Sequence, residues 1–360
     1  MRTVKFGIVT YGKVARLQAA ALKRVEAAEL VGVWGRDPAK RAAFASEFGV
    51  KSFDSIEAMA AAGVEAAVVS SPHPLHREQT IAALEAGMHV LVEKPMALTS
   101  ADCDAMMAAA AKAGRRLGVI SQRRWFPAVR RVREAIDAGK IGEPALADVV
   151  MFGWRDEAYY RSDPWRGSWS GEGGGVLVNQ APHQLDLLLW MMGEVEEVQA
   201  YWANLNHPYI EVEDTAIASL RFKSGALASI LVSNSQKPGI YAKVHIHGRN
   251  GATAGVQTDG GMMFVPGLAT MAEPAKNDIW TIPGEEGLPA EWEAADTAFF
   301  ATTDPGEHFH ALQLADFAAA IREGREPAVT AREGRATVAL IEAVYEAGRT
   351  GRAVKPSPYS

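Results

Sequence analysis

Short apolar runs alternate with stretches of helical spacing through the first third of the chain. "VKFGIV" (4–9) predicts a buried strand, and "KVARLQAAALKRV" behind it, with Val14, Leu17, Ala21 and Leu22 on one face, predicts a helix. "ELVGVWG" (29–35), "AAVVSS" (66–71), "HVLVEK" (89–94) and "RLGVIS" (116–121) read as further strands. Between them lie the helical stretches "DPAKRAAFASEFG", "HREQTIAALEAG" and "TSADCDAMMAAAAKAG", closing at Gly49, Gly87 and Gly114, the last with Thr99 or Ser100 as its cap. Such alternation predicts a parallel sheet with helices on both faces, close to the strand count of a dinucleotide-binding domain.

The texture changes near residue 122. "FPAVRRVREAIDAG" predicts a linking helix, and "PALADVVMFGW", "VEEVQAYWANLN", "DTAIASLRFKSGALASILVSNS" and "YAKVHIHGRNG" alternate apolar with polar or small residues. That pattern predicts an antiparallel sheet with one open face, "KSG" (223–225) being a hairpin turn within it. From Gly255 to Pro305 weak periodicity predicts mixed loop, and "FHALQLADFAAAIREG" and "GRATVALIEAVYEAGRTG" predict two closing helices. The fold class expected is α/β: a Rossmann-type doubly wound domain over 1–122, then an α+β domain over 123–360 with an open-faced, mostly antiparallel sheet. The closing helices can pack back on the first domain.

The 360 residues suit two such domains, and 48 % apolar with 22 % charged residues is ordinary globular composition. A net charge of −6 argues against nucleic-acid or anionic-membrane surfaces and favours small-molecule partners. Cys103 is the single cysteine, so no intramolecular disulfide can form, and it reads as a buried helix thiol. No leader-like N-terminus and no apolar run near the ~18 residues of a membrane span is seen, so a cytoplasmic protein is expected.

Chemistry concentrates where the strands of the first domain end. In the first strand-to-helix turn a G-x-G-x-x-G reading gives Thr10, Gly12 and Ala15, with Lys13 and Val14 inside it; helix N-terminal amides there suit a pyrophosphate. The second strand ends at Gly35 and Arg36 rather than at a carboxylate, which favours NADP over NAD, although Asp37 is one residue on. Ser71, Pro72, His73 and His76 follow the third strand at the edge where ligands of open α/β sheets bind. A metal site at the two histidines lacks further ligands, so no metal is expected. "GWRDEAYYRSDPWRGSW" (153–169) holds five aromatic and six charged residues, a mixture suited to stacking on a sugar and gripping hydroxyls or phosphate. Trp165 and Arg166 lead there, then Tyr159 and Arg161; in "QRRW" (122–125) Gln122 and Arg123 are candidates, while Arg124 can be structural.

"SSPHPLHREQTIAALEAGMHVLVEKP" (70–95) and "GGGVLVNQAPHQLDLLLWMMG" (173–193) together resemble the Gfo/Idh/MocA family, the glucose-fructose oxidoreductases and inositol dehydrogenases. The likeness spans nearly the whole chain. It implies hydride transfer between nicotinamide and a secondary alcohol or ketone of a sugar, cyclitol or similar carbohydrate-like substrate, and a homodimer or homotetramer formed through the second domain's sheet. It implies that Lys94 is the active-site lysine, aimed by Pro95 in an often-cis peptide, that Glu93 restrains the loop or touches the cofactor, and that His183 passes the proton. Gln122 joins the cofactor residues. Where the family commonly carries aspartate four residues before that histidine, this chain has Asn179, an "NQ" form similar to that of nucleotide-sugar 3-dehydrogenases. The chemistry agrees on its own terms: removing a hydroxyl proton as hydride leaves suits an imidazole, and an ammonium stabilises the developing alkoxide. Two other readings keep the fold: an NAD-dependent glycosidase with transient oxidation, and a ligand sensor without catalysis.

Overall fold

The computed structural model describes residues 2–260 and 273–358. They form two units, one made of residues up to Gln122 with Pro305–Val338, the other of Arg123–Asp304 with Ala339–Pro358.

The first unit runs β1 (Val4–Val9), α1 (Lys13–Leu22), β2 (Ala28–Trp34), α2 (Pro38–Phe48), β3 (Lys51–Ser52), α3 (Ile56–Ala61), β4 (Ala66–Val69), α4 (His76–Glu85), β5 (His89–Val92), α5 (Ser100–Ala113) and β6 (Leu117–Val119). Its strands are all parallel in the order β3-β2-β1-β4-β5-β6. Side chains start the helices: Asp37 accepts from the Ala39 and Lys40 amides, Ser55 from Ala58 and Thr99 from Asp102. The winding reverses between β1 and β4, which opens a crevice beyond their C-terminal ends. The elements β3 and α3 are too short to leave a periodic signature, and the sequence reading passes over them.

The second unit runs α6 (Pro127–Asp137), β7 (Pro144–Phe152), α7 (Glu157–Arg161), α8 (Val176–Asn179), α9 (Pro182–Met192), β8 (Val195–Ala203), β9 (Thr215–Phe222), β10 (Leu227–Ser233), β11 (Tyr241–Gly248), β12 (Thr253–Gly260) and α10 (Leu288–Phe300). Its sheet has the order β12-β11-β7-β10-β9-β8 and is antiparallel except for β7 beside β10, the mostly antiparallel sheet expected. Those two strands are separated by the long excursion through α7–α9, β8 and β9, so the chain can return in the same direction. From Ala216 to Phe222 of β9 buried and exposed residues alternate, and Leu146, Tyr201, Ile217 and Leu227 stand exposed on the open face. The span expected as mixed loop contains β12 and α10; its residues 261–272 lie outside the described residues. Gly and Thr dilute the alternation of β12, which is why the pattern fails there.

The chain ends with α11 (Pro305–Glu323) and α12 (Ala331–Thr350). Within the first unit Phe317 of α11 packs 6.5 Å from Phe6, and Gln313 bridges β6 by accepting from the Ser121 amide and donating to the Val119 carbonyl. The first turns of α12 are held there by Arg335 on Asp104 at 2.8 Å. Its later turns belong to the second unit, where Tyr345 stacks edge-on against Trp169 and Trp202. No helix among the described residues is long and apolar enough to cross a membrane.

Candidate active site

The turn after β1 keeps the shape of a phosphate-binding loop although its first glycine is missing. Thr10 has φ 103°, a left-handed value that a β-branched residue rarely adopts. Gly12 caps α1 and faces open space, with nothing within 4 Å of where its Cβ would be; Lys13 and Val14 begin the helix, whose first turn has no acidic side chain to repel an anion. At the end of β4, Ser71 Oγ is buried without a hydrogen-bond partner among the described residues, and so is Gln122 Oε1 after β6. A glycine with empty space before it, unopposed helix amides and two orphaned buried acceptors fit a bound dinucleotide.

At the tip of β2, Arg36 is exposed and pairs with Glu78 at 2.6 Å. Asp37 does not compete for the same role: its Oδ1 takes both capping amides of α2.

Lys94 is the partly exposed residue in the otherwise buried stretch Leu91–Ala97 behind β5, and the Lys94–Pro95 peptide is cis. Glu93 is fixed beneath it. Its carboxylate accepts from Gln18 Nε2 at 2.7 Å and from the Lys94 amide at 3.0 Å, while burial pushes its pKa up against the pull of the Lys94 ammonium. His76 departs from the expectation of cofactor contact. It is 0 % exposed, and its two ring nitrogens lie 2.8 Å from the carbonyl oxygens of Pro95 and Ser71. The ring therefore ties the loop after β4 to the loop after β5, and burial holds its pKa down. His73 is buried beside it, edge-on at 5.8 Å, behind Pro72.

In the second unit the structure brings Tyr159, Trp165, Arg166 and Asn179 together. The Arg166 guanidinium lies over the Tyr159 ring at 4.3 Å and the Trp165 ring at 4.5 Å, and donates to Tyr159 Oη at 2.6 Å. Asn179 Nδ2 donates to the same Oη at 3.1 Å and to Glu172 Oε1. Glu172 is only 1 % exposed, takes the Gly167 amide at 2.7 Å and faces Arg166 at 3.9 Å. One buried carboxylate thus fixes the orientation of the Asn179 amide and balances the arginine. His183, partly exposed in the first turn of α9, follows Asn179 by four residues.

A second buried acid shapes this segment. Glu213 accepts from the amides of Gly175 and Leu177 and from Tyr345 Oη, all near 3 Å, and burial pushes it up to about 7. A Cβ on Gly175 would lie 1.7 Å from the Glu213 carbonyl oxygen, so the glycine permits this close approach. Neither Glu172 nor Glu213 was singled out in the sequence. Glu172 sits between the two segments that were, which is the one local signal; Glu213 has none.

Three arginines stay apart from the cluster. Arg123, expected at the substrate, is buried and bound to Asp259 and Thr258, so its charge is spent within the unit. Arg161 is exposed and paired with Glu157 one helical turn away. Arg124 is buried on Asp186 at 2.6 Å and stacks 5.0 Å from Trp190, a structural placement.

Residues 4–121 match the oxidoreductase family with an NAD-binding Rossmann fold, and residues 129–254 match the GFO/IDH/MocA C-terminal domain. The chain is 30 % identical over 359 residues to a 1,5-anhydro-D-fructose reductase of Ensifer adhaerens, covering 98 % of each, and 28 % identical over 347 residues to an inositol 2-dehydrogenase of Rhizobium meliloti strain 1021, covering 95 % of this chain and 96 % of the relative. Among solved structures it is similar to the WlbA dehydrogenase of Bordetella pertussis in complex with NADH and UDP-GlcNAcA, with a TM-score of 0.86 and 32 % identity over 100 % of this chain and 99 % of that one.

Proposed function

The chain belongs to the Gfo/Idh/MocA family of oxidoreductases, and from that premise we propose an NADP-preferring enzyme that interconverts a secondary alcohol and its ketone on a carbohydrate, a nucleotide-linked sugar acid being the first class to try. The reaction and the substrate class are carried by the full-length similarity to a dehydrogenase whose structure holds NADH and UDP-GlcNAcA, while the NADP preference rests on Arg36 and the helix-cap role of Asp37 alone. The cluster of Arg166 and Asn179 on Tyr159 supports a hydroxyl-rich bound group, because guanidinium and amide groups meet hydroxyls.

The bound nicotinamide supplies or takes the hydride. Thr10, Gly12, Lys13, Val14, Ser71 and Gln122 hold the dinucleotide through the α1 amides and the two orphaned oxygens. Lys94 places an ammonium beside the reacting oxygen and lowers the cost of alkoxide character there. His183 receives or returns the hydroxyl proton, and Asn179, its amide oriented by Glu172, positions the substrate hydroxyls. Arg36 meets the cofactor's extra phosphate, a role supported by the commitment of Asp37 to its helix cap. A cytoplasmic location and self-association through the open face of the second sheet, where Leu146, Tyr201, Ile217 and Leu227 are exposed, complete the reading.

Nicotinamide absorbance of the purified protein tests it, across nucleotide sugars, sugar acids, free sugars, inositols and glycosides with each cofactor. Net reduction or oxidation with one of the carbohydrates is the expected result. Tightly held cofactor with no net turnover on any of them, and cleavage of a glycoside instead, would reject it.

A further inference from the structure

Gly35, at the tip of β2, has no room for a side chain. A Cβ there would lie 2.3 Å from Cε1 and 2.5 Å from Cδ1 of Tyr11, the residue between Thr10 and Gly12. The ring cannot swing away freely. Its Oη accepts the Asp37 amide at 3.1 Å, its carbonyl accepts from Arg16, and the ring packs against the apolar cluster formed by β1, α1 and Phe44. Asp37 in turn caps α2, so displacing Tyr11 disturbs the start of that helix as well.

In a doubly wound sheet the side chain ending the second strand selects the cofactor: a carboxylate takes the ribose hydroxyls, a cation takes the added phosphate. We propose that Tyr11 holds position 35 to glycine, by filling the volume that a carboxylate-bearing side chain there would require, and so keeps a ribose-binding acid off the strand tip. Arg36 is then left as the charged group at the tip. Its pairing with Glu78 joins two side chains that are each more than half exposed, and such surface pairs are weak enough to be exchanged for a phosphate. The proposal rests on the reading of this unit as a dinucleotide-binding domain and adds to it a residue outside the strand tip that restricts which side chain the tip can carry.

Dissociation constants for NADPH and NADH, read from quenching of protein fluorescence on the full-length chain, test it in wild type, Gly35→Asp, Tyr11→Ala and the double variant. Gly35→Asp alone should weaken both cofactors by about tenfold or more, and adding Tyr11→Ala should restore NADH binding by about tenfold over the single variant. Should Gly35→Asp fold poorly, Gly35→Ala with and without Tyr11→Ala reads the same coupling from a single methyl group. Gly35→Asp binding NADH as tightly as the double variant, or Gly35→Ala unaffected by Tyr11→Ala, overturns the role of Tyr11. Wild type binding neither cofactor would bring down the dinucleotide reading and this proposal together. Wild type preferring NADH with no response to Arg36→Ala would remove the phosphate preference, and with it any bearing of Tyr11 on cofactor choice.

Discussion

The rim of the first sheet and the segment Trp154–Met192 of the second unit place their chemistry by different means. At the rim the backbone does the placing: strand ends deliver Thr10, Ser71 and Lys94 to one edge, and helix amides and a glycine cradle wait for an anion. In the segment of the second unit, where α7 and α8 have only five and four residues, side chains do it, with two buried carboxylates fixing what surrounds them. A site built on backbone tolerates exchange of many side chains around it, whereas a site hung on buried acids fails when one acid changes.

The sharpest test of that contrast removes the side chain proposed to act at the rim. Lys94→Ala should lower kcat by about a thousandfold or more, while the affinity for cofactor, spread over backbone contacts, changes by no more than about threefold. Comparable losses in both would mean that the rim, too, depends on a single side chain. Next in size is the pH response of Glu213. Its folded pKa, about 7, lies above the ordinary 4.5, so between those values the folded chain holds a proton that the unfolded chain has released. Stability from this group is complete below about pH 4.5 and is lost as pH rises through about 7, a fall of roughly 3 kcal/mol. Glu213→Gln, neutral throughout, should flatten urea midpoints compared between pH 5 and pH 8; an unchanged slope would assign the effect elsewhere.

A smaller effect is expected at the other acid. Glu172→Gln leaves an amide group facing either the Gly167 amide or Asn179 Nδ2 and should cost about 2 kcal/mol of stability, with kcat falling more than cofactor affinity. Loss of cofactor affinity with kcat intact would contradict the role given to Asn179. The smallest change goes the other way. Thr10→Gly relieves a left-handed φ and should raise stability by about 1 kcal/mol in thermal unfolding, with cofactor affinity retained. Destabilisation would mean that the threonine side chain earns its place by contacts rather than enduring strain.

The same contrast explains what the sequence could tell. Strands and helices of the first unit stand out because buried parallel strands are apolar runs and their helices carry caps such as Asp37 and Thr99, all local signals. Lys94 and His183 are found through motif resemblance. Glu213 escapes because its partners, Gly175, Leu177 and Tyr345, lie far from it along the chain, and the pairing of Arg123 with Asp259 is hidden for the same reason. Tyr11 lay in full view after β1, yet its closeness to Gly35 exists only once β1 and β2 are side by side.

The ring of His76, held between the carbonyls of Ser71 and Pro95, has a consequence for anyone mapping this protein by mutation. A blind alanine scan would rank it among the indispensable positions and invite its enrolment as an acid or base, when what it governs is alignment: two loops that must share one setting, so that the lysine on the second arrives where the first expects it.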